Sequence, residues 1–99
     1  MIRHTVMWKL AATEPSERTS SVESIRGALE ALRGEIPGMS ALTVSADLGE
    51  SDGNFDVILV TDHDSAEALE VYQKHPAHLE AAAVVKAHVS ARACVDSGV

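Results

Sequence analysis

A chain of 99 residues with 15 acidic and 8 basic side chains, a formal charge of −7 and 45% hydrophobic residues has the make-up of one globular domain with a small core. The negative excess is relieved by no lysine or arginine cluster, which argues against nucleic acid and anionic membrane as partners. Cys94 is the only cysteine, so no intrachain disulfide forms, and it reads as a small half-buried strand residue rather than a nucleophile. The longest apolar run, Leu79 to Val89, is interrupted by Glu80, Lys86 and His88 and is too short for a bilayer. The amino-terminal run is broken by Arg3, His4 and Lys9, unlike a secretory signal, so the expected location is cytoplasmic.

Ile2, His4, Val6, Trp8 and Leu10 alternate with Arg3, Thr5, Met7 and Lys9, a period of two that predicts the first strand. Thr13, Glu14 and Pro15 read as a helix start. Val22, Ile25, Leu29, Leu32 and Ile36 then recur at intervals of three and four, as in an amphipathic helix, until Gly34 and the Ile36-Pro37-Gly38 turn stop it. Gly27 inside that helix fits either close packing on the sheet or no role at all. A second strand is expected over Met39 to Leu48 at a sheet edge, a polar loop over Gly49 to Asn54, and a third strand over Phe55 to Asp62 that pairs with the second. Asp64 or Ser65 caps a helix carrying Ala68, Leu69 and Tyr72. Pro76 forces a break at His75 and opens another helix to about Ala87. Val89 to Val95 closes the chain as a strand.

The order β-α-β-β-α-β predicts an α+β, ferredoxin-like protomer, a single domain over residues 1–99 with both helical segments on one face of an antiparallel sheet. The other face then shows Thr5, Met7, Ile58 and Val60, too apolar for open water, while Val6, Trp8, Phe55, Val57 and Leu59 face the helices. A homodimer through the open sheet face is expected.

Chemistry concentrates in Tyr72-Gln73-Lys74-His75-Pro76-Ala77-His78. Histidine titrates near pH ~6.5 and tyrosine near ~10, so a histidine and a tyrosine on one cavity supply a base and a hydroxyl donor. His78 falls in the first turn of the helix that Pro76 begins, where the dipole disfavours imidazolium. His4 would add a polar group to a wall otherwise made of Val6 and Trp8, with Val57 and Leu59 on the matching face of the third strand, and Ala81, Ala82 and Ala83 leave room. The alternative reading makes Tyr72 and His4 packing residues, His75 a structural residue at the break, His78 a satisfied histidine, and His63 and His88 surface residues. Proline between His75 and His78 spoils a helical metal-ligand face, and no carboxylate or cysteine completes a zinc pattern, so no metal and no cofactor are expected.

The segments Ile2-Arg3-His4-Thr5-Val6-Met7-Trp8-Lys9-Leu10, Ile36-Pro37-Gly38, Phe55-Asp56-Val57-Ile58-Leu59-Val60 and Tyr72-x-x-His75-Pro76-Ala77-His78 together resemble the Dabb family of stress-responsive dimeric α/β-barrel proteins. That resemblance implies a ferredoxin-like protomer whose sheet joins that of a second copy in one barrel. It also implies, by similarity to plant polyketide cyclases of the olivetolic acid cyclase type, a cofactor-free aldol closure or a related lyase or isomerase reaction. In that case His78 is the base and Tyr72 the assisting hydroxyl, with His4 and His75 lining the cavity. Val57 stands where the cyclase has a polar pocket residue, which points to a different or smaller carbonyl ligand. A non-catalytic ligand-binding or stress-response dimer is the alternative; a monooxygenase of the same barrel type has no motif support.

Overall fold

Alternation in β1 (Ile2–Leu10) does what its period requires: His4, Val6, Trp8 and Leu10 are buried while Arg3 and Met7 are exposed. The remaining elements of the computed structural model, which describes residues 1–99, are α1 (Pro15–Glu30), β2 (Met39–Ala46), β3 (Val57–His63), α2 (Ala66–Lys74), α3 (Pro76–Lys86) and β4 (Val89–Gly98). The strands form one antiparallel sheet in the order β2-β3-β1-β4. This is the ferredoxin-like βαββαβ topology, with its second helical crossover split in two by Pro76. β2 is an edge strand, as its polar alternation implied.

Register puts side chains in rows across the helix-covered face. One row reads Val44, Leu59, Val6 and Cys94, a second Leu42, Thr61, His4 and Asp96, a third Ala46, Val57, Trp8 and Arg92. The first row is apolar except at its β4 end, and the second turns polar from Thr61 onward. Ile25 and Leu29 of α1, Leu69 and Tyr72 of α2, and Ala81 and Val85 of α3 close over these rows to make the core.

Several boundaries differ from those expected. β3 begins at Val57, not Phe55, because Asp56 is taken up by a junction. Its N–H donates to the Trp8 carbonyl and its own carbonyl accepts from Asp47, each at 2.8 Å. Its carboxylate accepts from the Leu10 N–H and from the Arg18 guanidinium, also at 2.8 Å. Phe55 is thereby turned off the helix-side face, contrary to the alternation, and lies 5.3 Å beneath the Lys9 ammonium. β2 stops at Ala46, leaving Leu48 86% exposed, and β4 runs on to Gly98 because β1 offers it partners as far as Ile2. α1 ends at Glu30, while Leu32 and Ile36 of the helical pattern are buried from the turns that follow. A Cβ at Gly27 would meet nothing within 4 Å, so this glycine has no packing role. Gly38 does have one: its φ is +80° and a Cβ there would lie 2.7 Å from that of Ala68.

Candidate functional site

The break at Pro76 is built by His75. Its backbone N–H donates to the Tyr72 carbonyl at 3.2 Å, closing α2, and its Nδ1 accepts from the Ala77 N–H at 3.1 Å, capping α3. Ser65 caps the other end of α2 by accepting from the Ala68 N–H at 3.1 Å. With both ends pinned, Leu69 and Tyr72 share the buried face of α2, and Pro76 opens α3 so that His78 falls in its first turn. The Nδ1–H of His78 donates to the Gln73 carbonyl at 3.2 Å, which leaves Nε2 with its lone pair. The His78 and Tyr72 rings lie with centroids 4.4 Å apart.

These side chains open on a cavity of about 450 Å³ between α3 and the β1–β4 half of the sheet. His4, Tyr72 and His78 converge there over an apolar floor that includes Val6, Trp8 and Leu59. Two expected pocket residues lie elsewhere. His75 is engaged as the helix cap, and Val57, beside Trp8 in its row, lines a separate hollow with Met7 and Phe55.

Burial governs the proton affinities. Tyr72 is fully buried, which pushes its pKa up to about 12 against a smaller opposing pull from the Arg92 charge, so the hydroxyl keeps its proton. That hydroxyl has no hydrogen-bond partner within the protein. Burial also lowers the pKa of His78 below the ordinary histidine range, opposed by the bond to Gln73 and helped by the charges of His4, Arg92 and His75. The ring is a neutral base at neutral pH, and the positive end of α3 acts in the same direction.

Sequence reasoning missed three residues. Asp96 accepts from the Nδ1–H of His4 at 2.5 Å, which fixes the orientation of the ring. Arg92, opposite Trp8, lines the cavity wall. Both belong to a signal that was present, the polar alternation Ser90, Arg92, Cys94, Asp96 along β4, but the expected strand ended one residue before Asp96. His63, expected at the surface, is fully buried: its Nε2 lies 2.8 Å from Thr61 Oγ1 and its ring centroid 4.8 Å from that of Tyr72. β3 extends one residue past Asp62, and that residue points inward. His88 is half-buried rather than a free surface residue, with Nδ1 3.1 Å from Ser21 Oγ. Cys94 is exposed rather than half-buried because β4 is an edge strand. With His4 and Asp96 it places three potential metal ligands within 4.8 Å of one another.

Among solved structures the chain is similar to a dimeric ferredoxin-like protein of unknown function from Thermobifida fusca, at 30% identity and a TM-score of 0.84 over 99% of this chain and 90% of that one. A dimeric protein of unknown function and ferredoxin-like fold from Bacteroides fragilis is similar at 26% identity and a TM-score of 0.84, over 97% and 93% of the two chains. A hydroxynitrile lyase from Passiflora edulis shares the fold, with 16% identity and a TM-score of 0.72 over 97% of this chain and 90% of that one. No curated protein matches the sequence. Residues 2–99 match the family described as the Stress responsive A/B Barrel Domain, and the chain therefore belongs to the Dabb family.

Proposed function

We propose that the protein is a homodimer whose protomers bind a small apolar carbonyl compound, polyketide-like in class, in this cavity and carry it through an enolate. The observation that carries the reading is the buried Tyr72 hydroxyl, unpartnered in the protein, beside the free Nε2 of His78 on one apolar cavity. A carbonyl oxygen accepting from Tyr72 brings its α-carbon toward His78. Nε2 takes the α-proton, the C–H pair becomes the enolate double bond, and the carbonyl pair moves onto the oxygen that Tyr72 stabilises. The enolate carbon then attacks a second carbonyl of the same molecule; the first C=O re-forms, the second carbonyl's pair moves onto its oxygen, and that oxygen takes back the proton held on His78 Nε2, which closes a ring without a cofactor. The hydrogen bond that His4 donates to Asp96 holds a second imidazole in position beside Tyr72, with ring centroids 5.9 Å apart.

The dimer is supported by the apolar open sheet face and by the dimeric state named for the Thermobifida fusca and Bacteroides fragilis proteins. The Passiflora edulis lyase supports the fold alone.

Exchange of the methyl protons of apolar methyl ketones, acetonaphthone among them, into deuterated water tests the chemistry by NMR. The protein is expected to accelerate the exchange. His78→Ala should lower that acceleration by about 10²–10⁴-fold and Tyr72→Phe by about 10²-fold or more, with both variants still folded. Binding of the ketone without faster exchange would favour the alternative, a dimer that holds a ligand without converting it.

A further inference from the structure

We infer that the natural ligand is an anion, an apolar molecule with a single carboxylate that Arg92 and Lys86 hold at the mouth of the cavity. This rests on the reading of the cavity as a ligand site and adds the charge of what it takes. The chain has 15 acidic and 8 basic side chains, yet no aspartate or glutamate lines the cavity whereas Lys86 and Arg92 both do. Neither cation takes part in an ion pair, although Arg92 also lies beside the Cys94 thiol. The ion pairs of the chain join Arg3 to Asp62, Arg18 to Asp56, Arg26 to Glu30, Lys74 to Glu70 and His4 to Asp96. Asp96, also on β4, is bound by the buried His4.

The two cations come from different elements, Lys86 from the last turn of α3 and Arg92 from β4. Between them and the polar end formed by His4, Tyr72 and His78 the walls are apolar, with Val6, Trp8 and Val85 prominent. A molecule matching this order has a carboxylate at one end, an apolar body, and a hydrogen-bond acceptor for the Tyr72 hydroxyl at the other. The Arg92 charge reaches that far end, since it weakens the hold of both Tyr72 and His78 on their protons. A planar guanidinium pairs with a carboxylate through two parallel hydrogen bonds, and the ammonium adds a point charge. The negative dipole end of α3 lies at the same turn and opposes any anion there, a dianion more than a monoanion, and Lys86 in that turn offsets it.

Calorimetric titration with naphthoate and with acetonaphthone, its uncharged ketone counterpart, tests the assignment. Naphthoate should bind about tenfold tighter or better, as hydrogen bonds to charged groups allow. Added salt should weaken naphthoate more than the ketone. Arg92→Gln and Lys86→Gln should each narrow the gap several-fold, and the double variant should close it. If acetonaphthone binds and naphthoate binds no tighter, the charge assignment falls while the carbonyl-binding reading stands. If neither binds, both fall. Because the salt response is read on the unaltered protein, the test does not depend on the variants folding.

Discussion

His63 has no role in the proposed chemistry, yet it is the most completely buried histidine of the chain, wedged between Thr61 and Tyr72 with Nδ1 unpartnered. Burial is the main force lowering its pKa, and His4 adds to it, while Asp62, Asp96 and Asp64 pull weakly the other way. In the unfolded chain the ring takes its proton near pH ~6.5, and in the folded protein only at lower pH. Between those two values the unfolded state binds more protons. The neutral ring's contribution is therefore full above about pH 6.5 and is lost as the pH falls through the folded value, at up to about 1.4 kcal/mol per pH unit. Urea unfolding between pH 7 and pH 5 should show this slope, to which His78, lowered in the same way, also contributes, and His63→Leu should reduce it whatever it does to absolute stability. An unchanged slope would assign the acid sensitivity elsewhere. The residue scale was the least legible in the sequence. Alternation along β1 put His4 on the covered face, but nothing local distinguishes an inward His63 from a solvated one, because its orientation depends on β3 running one residue beyond Asp62.

Elements were easier to foresee where backbone chemistry decides them. Pro76 dictates a break whatever packs around it, and β1 and α3 lie within a residue of where the pattern put them. Boundaries failed where a long-range bond overrides local preference, as when Asp56 ties Leu10, Arg18, Trp8 and Asp47 together and delays β3. The sequence offered His75 both as a structural residue and as a pocket residue, and its bonds support the structural role. Its imidazole accepts the Ala77 N–H as a serine or aspartate would, and its backbone closes α2. His75→Ala should therefore cost about 1 kcal/mol of stability, the usual loss of an N-cap, and His75→Asp should recover most of it. Chemical denaturation checks both. Loss of activity in His75→Asp at full stability would instead return the imidazole to the cavity.

At the scale of the whole molecule the open sheet face is where the proposed dimer would form. Thr5, Met7, Ile58, Val60 and Val95 share that face, and Met7 is 37% and Val95 63% exposed. The helices α1, α2 and α3 all pack on the opposite face, so none of them covers this one. The Arg3–Asp62 pair, 2.8 Å apart near one end, gives the apolar patch a polar border of the kind that fixes register between copies. A second copy laid sheet to sheet would cover Met7 near the centre of the patch. A glutamate there would bring a carboxylate into the interface without a partner, and two of them if the copies are related by a two-fold axis, a loss of several kcal/mol of association. The same substitution lies on the far side of the sheet from His4, Tyr72 and His78 and should leave the protomer folded. Sedimentation at micromolar concentration should give a dimer for the natural sequence and a monomer for Met7→Glu with an unchanged far-ultraviolet spectrum. A natural sequence that sediments as a compact monomer, or a Met7→Glu variant that remains dimeric, would place the interface elsewhere or remove it.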